Sequence, residues 1–267
     1  THITNTTIKS DRSSLASGYS NLPIYRHFER YAQEFPESIA VTFGEVQISY
    51  GELNSQANQL ANYLIAQNVK PQDCVGVFID PGSEILIAIL AIHKINAVYV
   101  PIDTEYPLGR IKTIIEQVTP VAIVCASDRF SEIDDNFDLN IINLFRLDLF
   151  SGDRSNLDYF CSPDSVSHIF FTSGTTGTPK GVVSSHSNLI HYIFAAQEKY
   201  GFGVEDSFLA AARFTFSISL LMLLLPLVCG GRVNIITLKQ LLEPNLLAKA
   251  IERSSFFHLS PSLFKML

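Results

Sequence analysis

The sequence is short of positive charge. Its 19 lysines and arginines are outnumbered by 26 acidic residues, a net charge of −7, and the isoelectric point lies near 5.5. That balance excludes the broad basic footprint of a nucleic-acid binder. It leaves room for a single nucleotide, which needs only local positive charge. The four cysteines, Cys74, Cys125, Cys161 and Cys229, are scattered without the spacing of a metal site. Three lie in apolar runs and read as small core residues, which fits a reduced, cytoplasmic setting. The first twenty residues are polar and lack the apolar stretch of a secretory signal. The longest apolar run, Phe214 to Cys229, is interrupted by Thr215, Ser217, Ser219 and Pro226. It is too short for a membrane span and reads as a buried helix. No methionine opens the chain, which stops at Met266–Leu267 inside an apolar helical pattern, so it reads as a piece of a longer polypeptide. No internal repeat is visible.

Hydrophobic residues make up 47% of the 267, enough for a sizeable core. Residues 1–21, rich in Ser, Thr and Asn, suit a flexible linker. Ile24, Phe28, Tyr31 and Phe35 then recur at helical spacing until Pro36. Ile39 to Phe43 and Val46 to Ser49 read as a hairpin around Gly44-Glu45. Ser49-Tyr50-Gly51-Glu52 has the form of a capping box opening a helix with Leu53, Ala57, Leu60, Ala61, Leu64 and Ile65 on one face. Strands are expected at 74–79, 97–102 and 121–125, and helices at 84–94 and 108–118. This alternation implies a parallel sheet with helical crossovers. Residues 128–164 read as a loop-rich connection with one strand at 139–144. Further on, a helix is expected at 189–196, a strand entering a loop at 208–216 and the buried helix at 218–229. A Gly230-Gly231 turn, a strand at 233–236, a helix at 246–252 and a strand at 256–259 complete the pattern. The fold class is therefore α/β, with parallel or mixed sheets and helices packed on their faces.

One stretch breaks the pattern. The apolar run His168 to Phe171 reads as a buried strand. Thr172 to Gly181 then holds three glycines, one proline, five hydroxyl side chains and one lysine. Glycines let backbone N–H groups approach a ligand closely, and successive N–H groups in a turn form an anion-binding concavity. Ser173, Thr175, Thr176 and Thr178 add rotatable hydroxyl donors, and Lys180 adds a point charge suited to phosphate. The sum is a cradle for a polyphosphate. It is not a Walker A loop: Pro179 stands where that motif needs glycine, and Lys180 is followed by Gly181 and a strand.

The segment Thr172-Ser173-Gly174-Thr175-Thr176-Gly177-Thr178-Pro179-Lys180-Gly181 resembles the signature loop of adenylate-forming enzymes: acyl-CoA synthetases, luciferases and the adenylation domains of nonribosomal peptide synthetases. The likeness extends over about residues 22–267. Ile48 to Asn54 is similar to the first core motif of peptide-synthetase adenylation domains. Ala97 to Asp103, with Glu105-Tyr106-Pro107 and Arg110-Ile111, resembles the second, and Phe214 to Leu220 occupies the place of the fourth. The second motif favours peptide synthetases over acyl-CoA synthetases.

The resemblance implies a two-step activation. A carboxylate attacks the α-phosphate of ATP, giving an acyl-adenylate and pyrophosphate, and the acyl group then passes to the phosphopantetheine thiol of a carrier domain. By carry-over, Thr172, Ser173, Gly174, Thr175, Thr176, Gly177, Thr178 and Lys180 would hold the β- and γ-phosphates, with Mg2+ as companion ion. Phe216, Ser217, Ile218, Leu221 and His258 would line the acid's pocket. A condensation domain would neighbour this one in the same polypeptide. One departure matters. The family's fourth motif places an aspartate, which binds the substrate's α-ammonium, where this chain has Ser217. The expectation is an α-keto, α-hydroxy or aryl acid; the alternative is a carboxylate supplied elsewhere. The family's adenine- and magnesium-contacting motif, its ribose-binding aspartate and its mobile C-terminal domain with the catalytic lysine would lie beyond Leu267, so this chain alone is not expected to complete the reaction. Two other readings stay open: a stand-alone acyl-CoA synthetase or aryl-acid ligase, and a non-catalytic scaffold of the same fold. His93, His186 and His191 carry no partner pattern and no assigned duty.

Overall fold

In the computed structural model, residues 22–146, 151–172 and 179–265 are described. The linker expected at 1–21 and the centre of the cradle, 173–178, lie outside them. The first element is helix α1 (Ile24–Glu34), followed by the hairpin β1 (Ile39–Phe43) and β2 (Val46–Ser49). Helix α2 (Tyr50–Ala66) opens with Ser49 Oγ accepting from the Glu52 N–H. Only half of the expected capping box forms, because the Glu52 carboxylate turns outward to accept from Gln56 Nε2 at 2.8 Å.

Strands then alternate with helices as the periodicity predicts: β3 (Cys74–Ile79), α3 (Glu84–Lys94), β4 (Val98–Pro101), α4 (Leu108–Val118), β5 (Ala122–Ala126), α5 (Phe130–Asn136) and β6 (Asn140–Asn143). Helix α5 is a correction to the loop-rich reading of 128–164. It ends in Asp134, Asp135 and Asn136 and has a single buried apolar residue, Ile133, so it offers too few apolar positions to reveal a period. The chain continues with β7 (Val166–Thr172), β8 (Lys180–Ser185), α6 (His186–Tyr200), β9 (Ser207–Ala210), α7 (Ile218–Cys229), β10 (Arg232–Ile235), α8 (Leu238–Leu242), α9 (Pro244–Glu252), β11 (Phe256–Phe257) and α10 (Pro261–Phe264). Helix α8 escaped the sequence reading, although Thr237 and Gln240 form a complete capping box at its start. The strand expected at 256–259 is shorter, ending at Phe257.

The strands form two sheets. One has the order β11-β9-β10-β1-β2 and the other β6-β5-β3-β4-β7-β8. In each, the crossover-linked strands are parallel, and a hairpin partner, β2 or β8, adds the antiparallel edge. The sheets are therefore mixed, as hairpins at their edges require. The main core packs the inner faces of both sheets, through Val41, Val233 and Ile235 on one side and Val75, Val77 and Val124 on the other. Between them lie α2, α3 and α7. Helix α7 is apolar around its whole circumference, which only burial on all sides accommodates. It ends at Gly230 with φ +78, a left-handed conformation that glycine adopts without cost from a side chain. The Tyr50 hydroxyl, fully buried at the start of α2, donates to the Gly231 carbonyl at 2.7 Å and so ties α2 to the turn after α7. A second core on the opposite face of the larger sheet joins Phe78, Val100, Ile123 and Phe171 to α4 and α5. Among the described residues no helix is long and apolar enough to cross a membrane.

Candidate active site

The cradle is the connection of a hairpin. Strands β7 and β8 run antiparallel, and their last paired residues are Thr172 and Lys180. The Thr172 hydroxyl lies 3.5 Å from the Lys180 carbonyl oxygen. The two ends of the candidate phosphate loop are thus held side by side at the carboxyl end of β7, where open α/β sheets place their ligands. Ser173, Gly174, Thr175, Thr176, Gly177 and Thr178 lie outside the described residues. Both of the described ends, Thr172 and Lys180, are exposed, and among the described residues no carboxylate lies within ion-pair distance of the Lys180 ammonium. An exposed cation at the stem of a hydroxyl-rich loop fits an anionic ligand. Gly181 serves this hairpin through close approach: it pairs with Phe171, and a Cβ there would come within 3.0 Å of the Ile169 side chain and 3.3 Å of the Phe171 ring. Gln117, at the end of α4, donates to the Pro179 carbonyl at 2.9 Å and anchors the loop from outside. Nothing in the sequence flagged Gln117, because the contact spans 62 residues.

Beside β7 runs β4, parallel to it, with Tyr99 paired to His168. The segment leaving β4 carries Asp103. Its Oδ2 accepts from Arg213 Nη1 at 3.0 Å and lies 3.4 Å from the Thr215 hydroxyl, and its Oδ1 accepts from the Glu105 N–H at 2.9 Å. Arg213 and Thr215 belong to the segment between β9 and α7, so this contact joins the carboxyl edges of the two sheets. The crevice there has a volume of about 90 Å3; Val77, Ile79 and Ile85 are among the apolar residues lining it, and Asp80, Asp103 and Arg213 among the charged ones.

The same segment carries the residues expected to line the acid's pocket. A turn closed by the Phe216 N–H to the Arg213 carbonyl leads into α7. Phe216 is 59% exposed and Ser217 is exposed beside it. Ser217 is the residue preceding α7, has helical backbone angles and makes no side-chain capping bond, so among the described residues its hydroxyl is uncommitted. Ser219, by contrast, is buried and spends its hydroxyl on the Phe214 carbonyl at 3.2 Å. Ile218 is half-buried against the main core, and Leu221, at 6% exposure, belongs to that core. His258 is exposed just past Phe257 in β11, whose neighbour is β9. His258 and the Phe214–Ser217 segment thus leave the sheet from the carboxyl ends of adjacent parallel strands.

Two of the histidines without assigned duty, His93 and His186, are brought together with His168. His93 of α3 and His186, which opens α6, are both fully buried with ring centroids 5.0 Å apart. His168 in β7 completes the group, its Nδ1 2.7 Å from the Ser167 hydroxyl. Burial, with a smaller contribution from His186 for His168, lowers the His168 and His186 pKa values to about 4. Burial, then the neighbouring imidazoles, drives His93 well below its ordinary value, against a smaller upward pull from the backbone of Ser167. These rings are neutral packing groups. His191 is exposed on α6 and lies outside this group. Among the described residues no set of three or more His, Cys, Asp or Glu side chains is placed to hold a metal ion.

The fold is that of an α/β enzyme domain whose strands present their carboxyl ends along one edge. The profile of the AMP-binding enzyme family matches residues 28–267, and the chain belongs to that family. It is 33% identical over 231 residues to a dimodular nonribosomal peptide synthase of Bacillus subtilis, an alignment covering 84% of this chain and 10% of that protein. It is 33% identical over 242 residues to tyrocidine synthase 3 of Brevibacillus parabrevis, covering 88% of this chain and 4% of the relative. The chain thus spans a small part of the curated relatives it matches. Among solved structures, the N-terminal subdomain of Klebsiella oxytoca NpsA in complex with 3-hydroxybenzoyl-AMSN superposes with a TM-score of 0.80 at 25% identity, covering 91% of this chain and 61% of that one. The nonribosomal peptide synthetase FmoA3 in its α-methyl-L-serine-AMP bound form shares the fold with a TM-score of 0.85 at 24% identity, covering 98% of this chain and 30% of that one.

Proposed function

We propose that residues 22–267 are part of an adenylation domain that activates a carboxylic acid with ATP for transfer to a carrier-protein thiol in nonribosomal peptide synthesis. A carboxylate oxygen bonds to the α-phosphorus, the bond to the β-phosphate oxygen breaks, and pyrophosphate leaves. The carrier's phosphopantetheine sulfur then takes the acyl group and AMP departs. Lys180 and the N–H and hydroxyl donors of 172–178 neutralise the β- and γ-phosphates, where charge accumulates as pyrophosphate leaves. Mg2+, if it enters with the triphosphate, would neutralise phosphate charge there alongside Lys180. The carrier and a condensation domain belong to the same polypeptide in this reading.

The observation that supports the reading most directly is the alignment of three features along one edge: the Thr172/Lys180 stem, the Asp103 segment and the Ser217 end of α7. The substrate follows from Ser217. A neutral hydroxyl without a side-chain capping bond stands at the positive end of a 12-residue helix, and the nearby Arg213 charge is taken up by Asp103. The helix dipole disfavours an ammonium there and favours an oxygen substituent. The acid is therefore an α-keto, α-hydroxy or aryl acid. The similar NpsA subdomain, in complex with 3-hydroxybenzoyl-AMSN, holds a ligand of the aryl kind.

The test is ATP–pyrophosphate exchange with the whole polypeptide that contains these residues. Exchange is expected with a keto, hydroxy or aryl acid and weak exchange with the matching α-amino acid. Strong exchange with an α-amino acid and none with its analogues overturns the substrate class. Absence of ATP and pyrophosphate binding in calorimetry overturns the ligase reading in favour of a non-catalytic scaffold.

A further inference from the structure

The charged contact between the two sheet edges carries a further inference, which rests on the ligase reading above. Most exposed ion pairs contribute little, because solvent screens them and two long side chains must be ordered. The pair Arg213–Asp103 differs in its surroundings. The Asp103 side chain is 9% exposed while that of Arg213 is 45% exposed. The carboxylate is also fixed from both oxygens, by Arg213 and Thr215 on one and the Glu105 N–H on the other. Its backbone is the direct continuation of β4, the inner strand of the larger sheet that runs beside the cradle strand. An Asp103 held this way is a fixed post, and Arg213 is the residue that reaches it.

What Arg213 steadies is the wall of the candidate acid site. Its carbonyl accepts the Phe216 N–H, closing the turn that presents Phe216 and Ser217. Thr215, two residues before Ser217, adds the weaker contact to the same carboxylate. The segment's other ties run to its own helix and to the core: Phe214 and Ile218 pack partly against the main core and the Ser219 hydroxyl donates to the Phe214 carbonyl, while Phe216 and Ser217 themselves are exposed. We propose that Arg213 is a positioning residue, which through Asp103 fixes the Phe214–Ser217 turn against the edge of the larger sheet and so sets how tightly the acid's α-substituent is held. Among the described residues the clasp makes no hydrogen bond to Thr172 or Lys180, so its effect is expected on the acid and not on ATP.

The experiment is steady-state ATP–pyrophosphate exchange on the whole polypeptide. It compares Arg213→Met, Asp103→Asn, the double variant and Arg213→Lys with the parent, alongside thermal midpoints. Loosening a positioning contact is expected to raise the acid KM about tenfold in each single variant, with the ATP KM almost unchanged. The double variant should be no worse than either single, since both remove one contact. Arg213→Lys should recover part of the loss by keeping the charge. An unmoved acid KM overturns the proposal. So do acid and ATP KM values that rise together with a fallen midpoint, and effects that multiply in the double variant. If Asp103→Asn does not fold, Arg213→Met decides alone, because its half-exposed side chain leaves no core cavity. A parent protein that exchanges with no acid overturns the ligase reading itself, whereas exchange that Arg213→Met leaves unaltered overturns the clasp only.

Discussion

Lys180 carries the largest single burden of charge in the proposed site. At about 4 Å from a phosphate its attraction is about 4 kcal/mol for an effective dielectric of 20 and about 1 kcal/mol in bulk water. Its exposure puts the true value between those limits. Lys180→Ala should therefore lower kcat/KM for ATP by roughly five- to a thousandfold, with the thermal midpoint unchanged. Exchange kinetics at varied ATP check this, and a loss below twofold would show that the ammonium does not meet the phosphates. At this scale the sequence reading rests on composition: the glycines, hydroxyls and lysine of 172–181 are the basis for proposing an anion site, and Ser217 is visible as a neutral residue in a charged residue's place. Two things were hidden at this level. One is the uncommitted state of the Ser217 hydroxyl, which depends on the turn before α7. The other is the retreat of Leu221 into the core, which depends on the direction α7 takes.

At the scale of elements, α1, α2 and α3 are locked by charges in an otherwise apolar contact. Lys94, 1% exposed at its side chain, ends the apolar helix α3 and pairs with Glu29 of α1. It also donates to Asn54 of α2 at 2.9 Å. Burial outweighs its carboxylate partner and lowers the Lys94 pKa to about 8. Glu29 has a second cation, Arg26, at 2.9 Å; Lys94 has no second carboxylate among the described ion pairs. The two single variants should therefore differ. Glu29→Leu strands a buried ammonium and is expected to cost about 3–5 kcal/mol, the range for breaking a buried pair. Lys94→Met should cost distinctly less, because Arg26 still serves Glu29, and the double variant should return to within about 1 kcal/mol of the parent. Urea unfolding of the four proteins measures all three, and equal costs for the two singles would contradict the account. Most elements were legible because long apolar patterns declare themselves. Helices α5 and α8 were not: both are short, and neither shows a full apolar stripe. The partner of Lys94 lies 65 residues away, beyond any local pattern.

At the scale of the whole molecule, the buried histidines make the fold sensitive to acid. His93, His168 and His186 come from α3, β7 and α6, and each has a folded pKa below its ordinary value through burial. Between about pH 6.5 and 4 the unfolded chain binds protons that the folded chain refuses, so stability is full above pH 6.5 and falls as pH drops toward 4. The slope is about 1.4 kcal/mol per pH unit for each histidine concerned. Denaturation midpoints at pH 7.5, 6 and 5 should decline in that order, and His186→Phe should flatten the decline; a midpoint constant from pH 7.5 to 5 would refute it. The chain order by itself determined the α/β class, the strand–helix alternation and the burial of α3 and α7. Each of these is a local or periodic property that neighbouring residues carry. Only the tertiary structure decided that the strands divide into two sheets, that His93 and His186 share one core, that Gln117 anchors the cradle and that Arg213 reaches Asp103 across the sheet edges. Such contacts join residues tens of positions apart, and only long-range strand pairing and core packing bring them within reach.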